Sequence, residues 1–131
     1  MPEEQQIRLV RRLWDAVGES GLEAGVELTE PDVEWTPHTA QGRVLTTRQL
    51  LDFFEEVGGA RVVAARLYSV TAEAADTVLA SGSLRLKGEG GISEFQIHVV
   101  YEFEGDRLVR VGTHATRSDA LEAITRLAAG G

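Results

Sequence analysis

Few side chains in this sequence can do covalent or proton-transfer chemistry, and their spacing narrows what that chemistry could be. The chain has three His and no Cys, so thiol nucleophiles, zinc fingers and thiol redox chemistry are excluded. His38, His98 and His114 show neither His-x-His nor His-x-x-x-His spacing, and no metal site is expected. No G-x-S-x-G elbow is present, and no G-x-G-x-x-G precedes a helix. No cofactor is expected. The most suggestive cluster lies in the run Glu94 to Glu104. Alternation puts Glu94, Gln96, His98, Val100 and Glu102 on one face of a strand, with Phe95, Ile97, Val99, Tyr101 and Phe103 on the other. A histidine in that setting is a candidate general base, because imidazole exchanges protons near neutral pH. Its neighbours depend on the turn that follows. A two-residue Gly105-Asp106 hairpin sets His98 opposite Thr113 and Val100 opposite Val111, whereas a three-residue turn sets His98 opposite His114.

The elements that position these residues follow from periodicity. Ile7, Val10, Leu13, Trp14 and Val17 recur at intervals of three and four, the pattern of an amphipathic helix ending near Gly18 and Gly21. Ser20-x-x-Glu23 reads as a capping box opening a shorter helix with Leu22, Val26 and Leu28, stopped by Pro31. Val33 to Thr36 reads as a short strand. Thr46-x-x-Gln49 is a second capping box, ahead of Leu50, Leu51, Phe53, Phe54 and Val57, with Gly58-Gly59 as the stop. From residue 61 the period becomes two. Arg61–Ala72, Thr77–Lys87, Glu94–Glu104 and Arg107–Thr116 read as strands joined by short antiparallel turns. Ser118 is the expected cap of a last helix carrying Leu121, Ile124 and Leu127, with a frayed tail after Ala128. Segregated helices and antiparallel strands make an α+β domain, with the helices expected on one face of a twisted sheet.

Composition sets the limits. A chain of 131 residues, 43% hydrophobic, suits a single domain covering 1–131. Thirteen Lys+Arg against twenty-one Asp+Glu give a formal net charge of −8, which argues against binding nucleic acid by phosphate neutralisation. The opening MPEEQQIRLV is acidic and lacks an apolar run, so no signal peptide is expected. No apolar stretch approaches the roughly eighteen residues needed to span a membrane. A soluble, cytoplasmic protein is the expectation.

Five stretches, IRLVRRLWDAV, GLEAGVELTEPDVEW, LTTRQLLDFFEEV, VVYEFEGDRLVRV and RSDALEAI, are together similar, in order and spacing, to the SnoaL-like, ketosteroid-isomerase-like branch of the nuclear-transport-factor-2-like superfamily. The resemblance implies a cone-shaped α+β roll with a curved, mainly antiparallel sheet wrapped around helices, an apolar pocket at the open end, and a homodimer. It implies a hydrophobic, carbonyl-bearing or cyclic small-molecule ligand and an isomerase, cyclase or hydrolase working by proton transfer. The alternative it leaves is a non-catalytic ligand-binding or dimerisation domain. The positions where relatives carry acids are matched here by Thr113 and Thr116. In the first register His98 and Thr113 project into that pocket beside Val111; the other reading has His98 facing solvent or a dimer partner. Trp35 and His38 match a loop that borders the pocket mouth. Trp14 and Trp35 are expected either as pocket walls or as core anchors.

Overall fold

The structure, a computed structural model, describes residues 2–38, 43–56 and 61–130. Among the described residues, four helices, α1 (Pro2–Ser20), α2 (Leu22–Glu27), α3 (Thr47–Glu56) and α4 (Arg117–Gly130), accompany five strands, β1 (Glu34–Thr36), β2 (Arg61–Ala74), β3 (Thr77–Gly88), β4 (Gly91–Glu104) and β5 (Arg107–His114). The strands form one sheet in the order β1-β5-β4-β3-β2, antiparallel except for the parallel β1–β5 pair.

The caps show where local chemistry rules and where it does not. Thr46 and Gln49 make the reciprocal capping box: the Gln49 N–H donates to Thr46 Oγ1 at 3.2 Å, and the Thr46 N–H donates to Gln49 Oε1 at 3.0 Å. The Ser20 box does not form. Helix α1 runs through Ser20, and Gly21, at φ 92°, turns the chain into α2 without a side-chain cap. That left-handed value suits glycine, which has no Cβ to clash. Helix α2 stops at Glu27, with Leu28 as its C-cap, before Pro31 is reached. At α4 the cap is Thr116 rather than Ser118, its Oγ1 accepting the Asp119 N–H at 3.1 Å. The helix continues to Gly130. The stop expected at Gly58-Gly59 lies outside the described residues.

Bulges curve the sheet. Strand β2 slips register against β3 between Val62 and Ala64, between Leu67 and Ser69, and between Ala72 and Ala74. Each slip leaves one extra residue on β2 and bends that strand, as bulges do. The concave face carries Val78, Ala80, Ile97, Val99, Tyr101 and Phe103, which close over Val10, Leu13 and Trp14 of α1. Gly82 is a point of close approach, because a Cβ there would meet Trp14 ring atoms at 2.8 and 2.9 Å and collide with the Arg66 carbonyl oxygen. At the other end of α1, buried Gln6 donates to Asp76 Oδ1 (3.0 Å) and the Gly105 carbonyl (2.6 Å), tying two hairpin turns to the helix.

The helices are not confined to one face. Leu79 and Val100, of opposite parity to the concave set, pack on the convex side against Ala120 and Ile124 of α4. Burying a Leu, Val or Ile side chain contributes about 1.5–3 kcal/mol, so this small cluster suffices to seat a fourteen-residue helix.

The β4–β5 register combines both expectations. The turn has two residues, since Glu104 pairs with Arg107 and Phe103 with Leu108. The register then shifts, and Glu102 pairs with Arg110, Tyr101 with Val111, Val99 with Thr113 and His98 with His114. Val109 is the extra residue. One bulge therefore moves Val111 and Thr113 to the concave face while leaving His98 on the convex one.

Candidate functional site

A cavity of about 180 Å³ opens between the concave face and the helices. Leu13, Trp14 and Val17 of α1 and Gly25 and Val26 of α2 form one wall. The sheet supplies Leu84, Phe95, Ile97, Val99, Tyr101, Val111 and Thr113, and the β1 segment supplies Trp35, Thr36, Pro37 and His38. Their convergence follows from the alternation of β4 and the bulge at Val109, which align the odd-numbered residues of both strands. The volume is comparable to a dry engineered cavity of about 150 Å³ that admits benzene. Five expected site residues, Trp14, Trp35, His38, Val111 and Thr113, thus meet in one pocket.

His98 does not join them. It stands on the convex face, where its Nδ1 lies 2.8 Å from Ser81 Oγ. The bulge that puts it opposite His114 separates it from the cavity, so the base expected at His98 is not available to a pocket ligand. Glu94 is engaged by Ser83 and Arg85, and Glu102 by Arg110, on that same convex face.

Among the described residues the pocket lining contains no Asp, Glu, Lys or Arg; its ionisable side chains are Tyr101 and His38. Tyr101 is 6% exposed and accepts the Trp14 Nε1–H at 2.9 Å. Burial pushes the Tyr101 phenol far above its ordinary value, and the weaker opposing effect of the Trp14 hydrogen bond does not undo this. The hydroxyl therefore stays protonated. Among the described residues the Tyr101 hydroxyl has only this accepted bond, so its hydrogen is given to no described acceptor. His38 is held at the mouth by Thr113. The His38 backbone N–H donates to Thr113 Oγ1 at 2.9 Å, and the ring Nδ1 sits 2.7 Å from the same oxygen. With Nδ1 protonated, the ring donates to Thr113 and keeps a lone pair on Nε2; in the other tautomer Thr113 donates and Nε2–H becomes a donor.

The Trp35 Nε1–H is given to Thr47 Oγ1 at 3.1 Å, so Trp35 contributes its apolar surface. Thr116, matched to a family acid, is the cap of α4. Tyr101 is the lining residue that the polar-face reading passed over. Its signal was its place among Phe95, Ile97 and Val99, an apolar row long enough to line a cavity.

Comparison with solved structures identifies the architecture. The chain is similar to the BvnE pinacolase from Penicillium brevicompactum (TM-score 0.71, 18% identity, 99% of each chain covered). It is also similar to a putative SnoaL-like polyketide cyclase from Jannaschia (TM-score 0.66, 16% identity, 93% of this chain and 90% of that one). An NTF2-like protein of unknown function from Burkholderia pseudomallei matches with TM-score 0.67 and 16% identity, covering 90% of this chain and 95% of that one. No protein-family model matches the sequence, and no curated protein matches it significantly. The chain has the NTF2-like fold. No described helix is long and apolar enough to cross a membrane.

Proposed function

We propose that the protein binds a small, neutral, hydrophobic ligand bearing a carbonyl group and moves a proton on the carbon next to that carbonyl. One observation carries this reading: an apolar cavity that holds two polar devices, the Trp14-supported Tyr101 hydroxyl and the Thr113-held imidazole of His38. A lining without formal charge disfavours ionic ligands, since burying an unpaired charge costs several kcal/mol. Tyr101 O–H donates to the carbonyl oxygen and stabilises the enolate that forms there. His38 Nε2 takes the proton from the adjacent carbon and returns it, to the same carbon or to a conjugated one. Tyr101 pairs with Val111 and Val99 with Thr113, so the backbone positions that carry Tyr101 and the Thr113 partner of His38 are offset by two residues, about 7 Å, along the strand direction. The solved relatives named a pinacolase and a putative polyketide cyclase are consistent with an acid–base pocket of this kind.

The test is binding followed by isotope exchange. One- and two-ring ketones are screened by thermal shift, in which a ligand at about 100 times its Kd adds about 2.7 kcal/mol. Hits are incubated in D2O, and deuterium entry next to the carbonyl is followed by NMR. The expected result is exchange in the wild type, its loss in His38→Gln with binding kept, and a several-fold weaker affinity in Tyr101→Phe. If no neutral ketone stabilises the protein, the reading is wrong. Binding without exchange would make the pocket a sequestering site. We also propose a homodimer built on the uncovered part of the convex face, where Tyr68 is 55% exposed; a 14.2 kDa species alone in sedimentation at micromolar concentration would exclude it.

A further inference from the structure

The convex face holds a second group of titratable residues that the pocket does not use. His98 and His114 are direct cross-strand partners on β4 and β5, a position in which side chains of the same face approach closely. Ser81, next across on β3, holds His98 through Nδ1 at 2.8 Å. Helix α4 brings the charges: Arg117 acts on His98, and Asp119 and Arg126 act on His114. Arg117 is itself 3.7 Å from Glu73 of β2, and His38 is the remaining ionisable neighbour of His114. The helix is seated by few apolar side chains, chiefly Ala120, Leu121 and Ile124.

We propose that His98 and His114 form an acid-released clasp for α4, which seats the helix while both imidazoles are neutral and loosens it when both are protonated. Protonation sets two like charges directly opposite each other, an arrangement that destabilises a strand pair. Arg117 and Arg126 add to the repulsion, and Asp119 alone among the α4 groups opposes it. Loosening α4 uncovers Leu79 and Val100. Burial, followed by Arg117, holds His98 below the ordinary imidazole value of 6.5, and burial does the same for His114 against the opposing pull of Asp119. The docked state therefore takes up protons less readily than the undocked one. Docking is full above pH 6.5 and weakens as the pH falls below it.

Amide hydrogen exchange of the intact protein tests it, with protection factors corrected for intrinsic rates. Between pH 7.5 and 5.5, the protection of α4 amides from Ala120 to Thr125 is expected to fall at least tenfold relative to β3. In the His98→Gln, His114→Gln double variant the fall should be under threefold. An unchanged wild type, or an equal fall in the double variant, overturns the proposal. Should the double variant not fold, NMR titration of the wild-type imidazoles decides instead. The loss of α4 protection must then share their midpoint, and a midpoint in the carboxylate range refutes the clasp.

Discussion

Replacing Gly82 by alanine tests how closely α1 lies on the sheet. A Cβ at this position would enter the van der Waals shell of the Arg66 carbonyl oxygen on β2 and stand 2.8 and 2.9 Å from the Trp14 six-membered ring. Neither neighbour yields easily. The oxygen belongs to the backbone of an adjacent strand, and Trp14 is anchored by its hydrogen bond to Tyr101, worth about 1 kcal/mol. Overpacking one methyl group into a full core costs about 1–3 kcal/mol, and both neighbours being fixed puts this case at about 3 kcal/mol. An unfolding entropy of about 2.1 cal/mol/K per residue gives about 0.28 kcal/mol/K for 131 residues. The expected fall in Tm is therefore about 11 °C. Circular dichroism melts would read it, with Gly88→Ala as the control, since a Cβ at Gly88 meets nothing within 4 Å. Trp14→Phe should fail to rescue Gly82→Ala, because the Arg66 oxygen stays in place. A Gly82→Ala protein melting within about 2 °C of the wild type would refute the packing of α1 against β3, and with it the shape of the pocket.

The remaining predictions probe the buried polar groups. Gln6 is 2% exposed and its Oε1 has no partner among the described residues, so Gln6→Met removes an orphan acceptor along with two donated bonds and should cost under about 1 kcal/mol. Gln6→Glu instead buries a carboxylate against the Asp76 carboxylate and the Gly105 carbonyl, and should cost about 3 kcal/mol or more at neutral pH in denaturant melts. Its carboxyl is raised in the folded state, so that deficit should shrink as the pH falls toward the ordinary Glu value and persist above it. For Tyr101, burial raises the phenol above 10.0. The stability it contributes is full below pH 10 and is lost as the pH rises beyond. In a Tyr68→Phe background, ultraviolet titration should show no phenolate at about pH 11 until the protein unfolds; ionisation before unfolding would contradict the buried Trp14–Tyr101 pair.

How much could be read in advance differs by element. The long strands, their two-residue Gly105-Asp106 turn, the α1 stripe and the Thr46-x-x-Gln49 box were all legible, because each is set by residues within a few positions of one another. The caps at Ser20 and Ser118 were misplaced. A cap signal names a residue able to bond, whereas packing decides where the helix begins: α1 runs on past Ser20 and the chain turns at Gly21, and Thr116 lies one residue before α4. Trp14, Trp35, His38, Val111 and Thr113, singled out in the sequence, all line the cavity, whereas His98 lies on the convex face.

Periodicity and turn chemistry alone determined that this chain forms an α+β domain with a histidine on each of β4 and β5. Tertiary structure decided which face each histidine occupies. The single extra residue at Val109 shifts the β4–β5 register, sending Thr113 toward His38 in the cavity and pairing His98 with His114 outside it. No local pattern marks that bulge, because it relieves the curvature of a whole sheet wrapped around α1, a constraint that exists only after the strands have met.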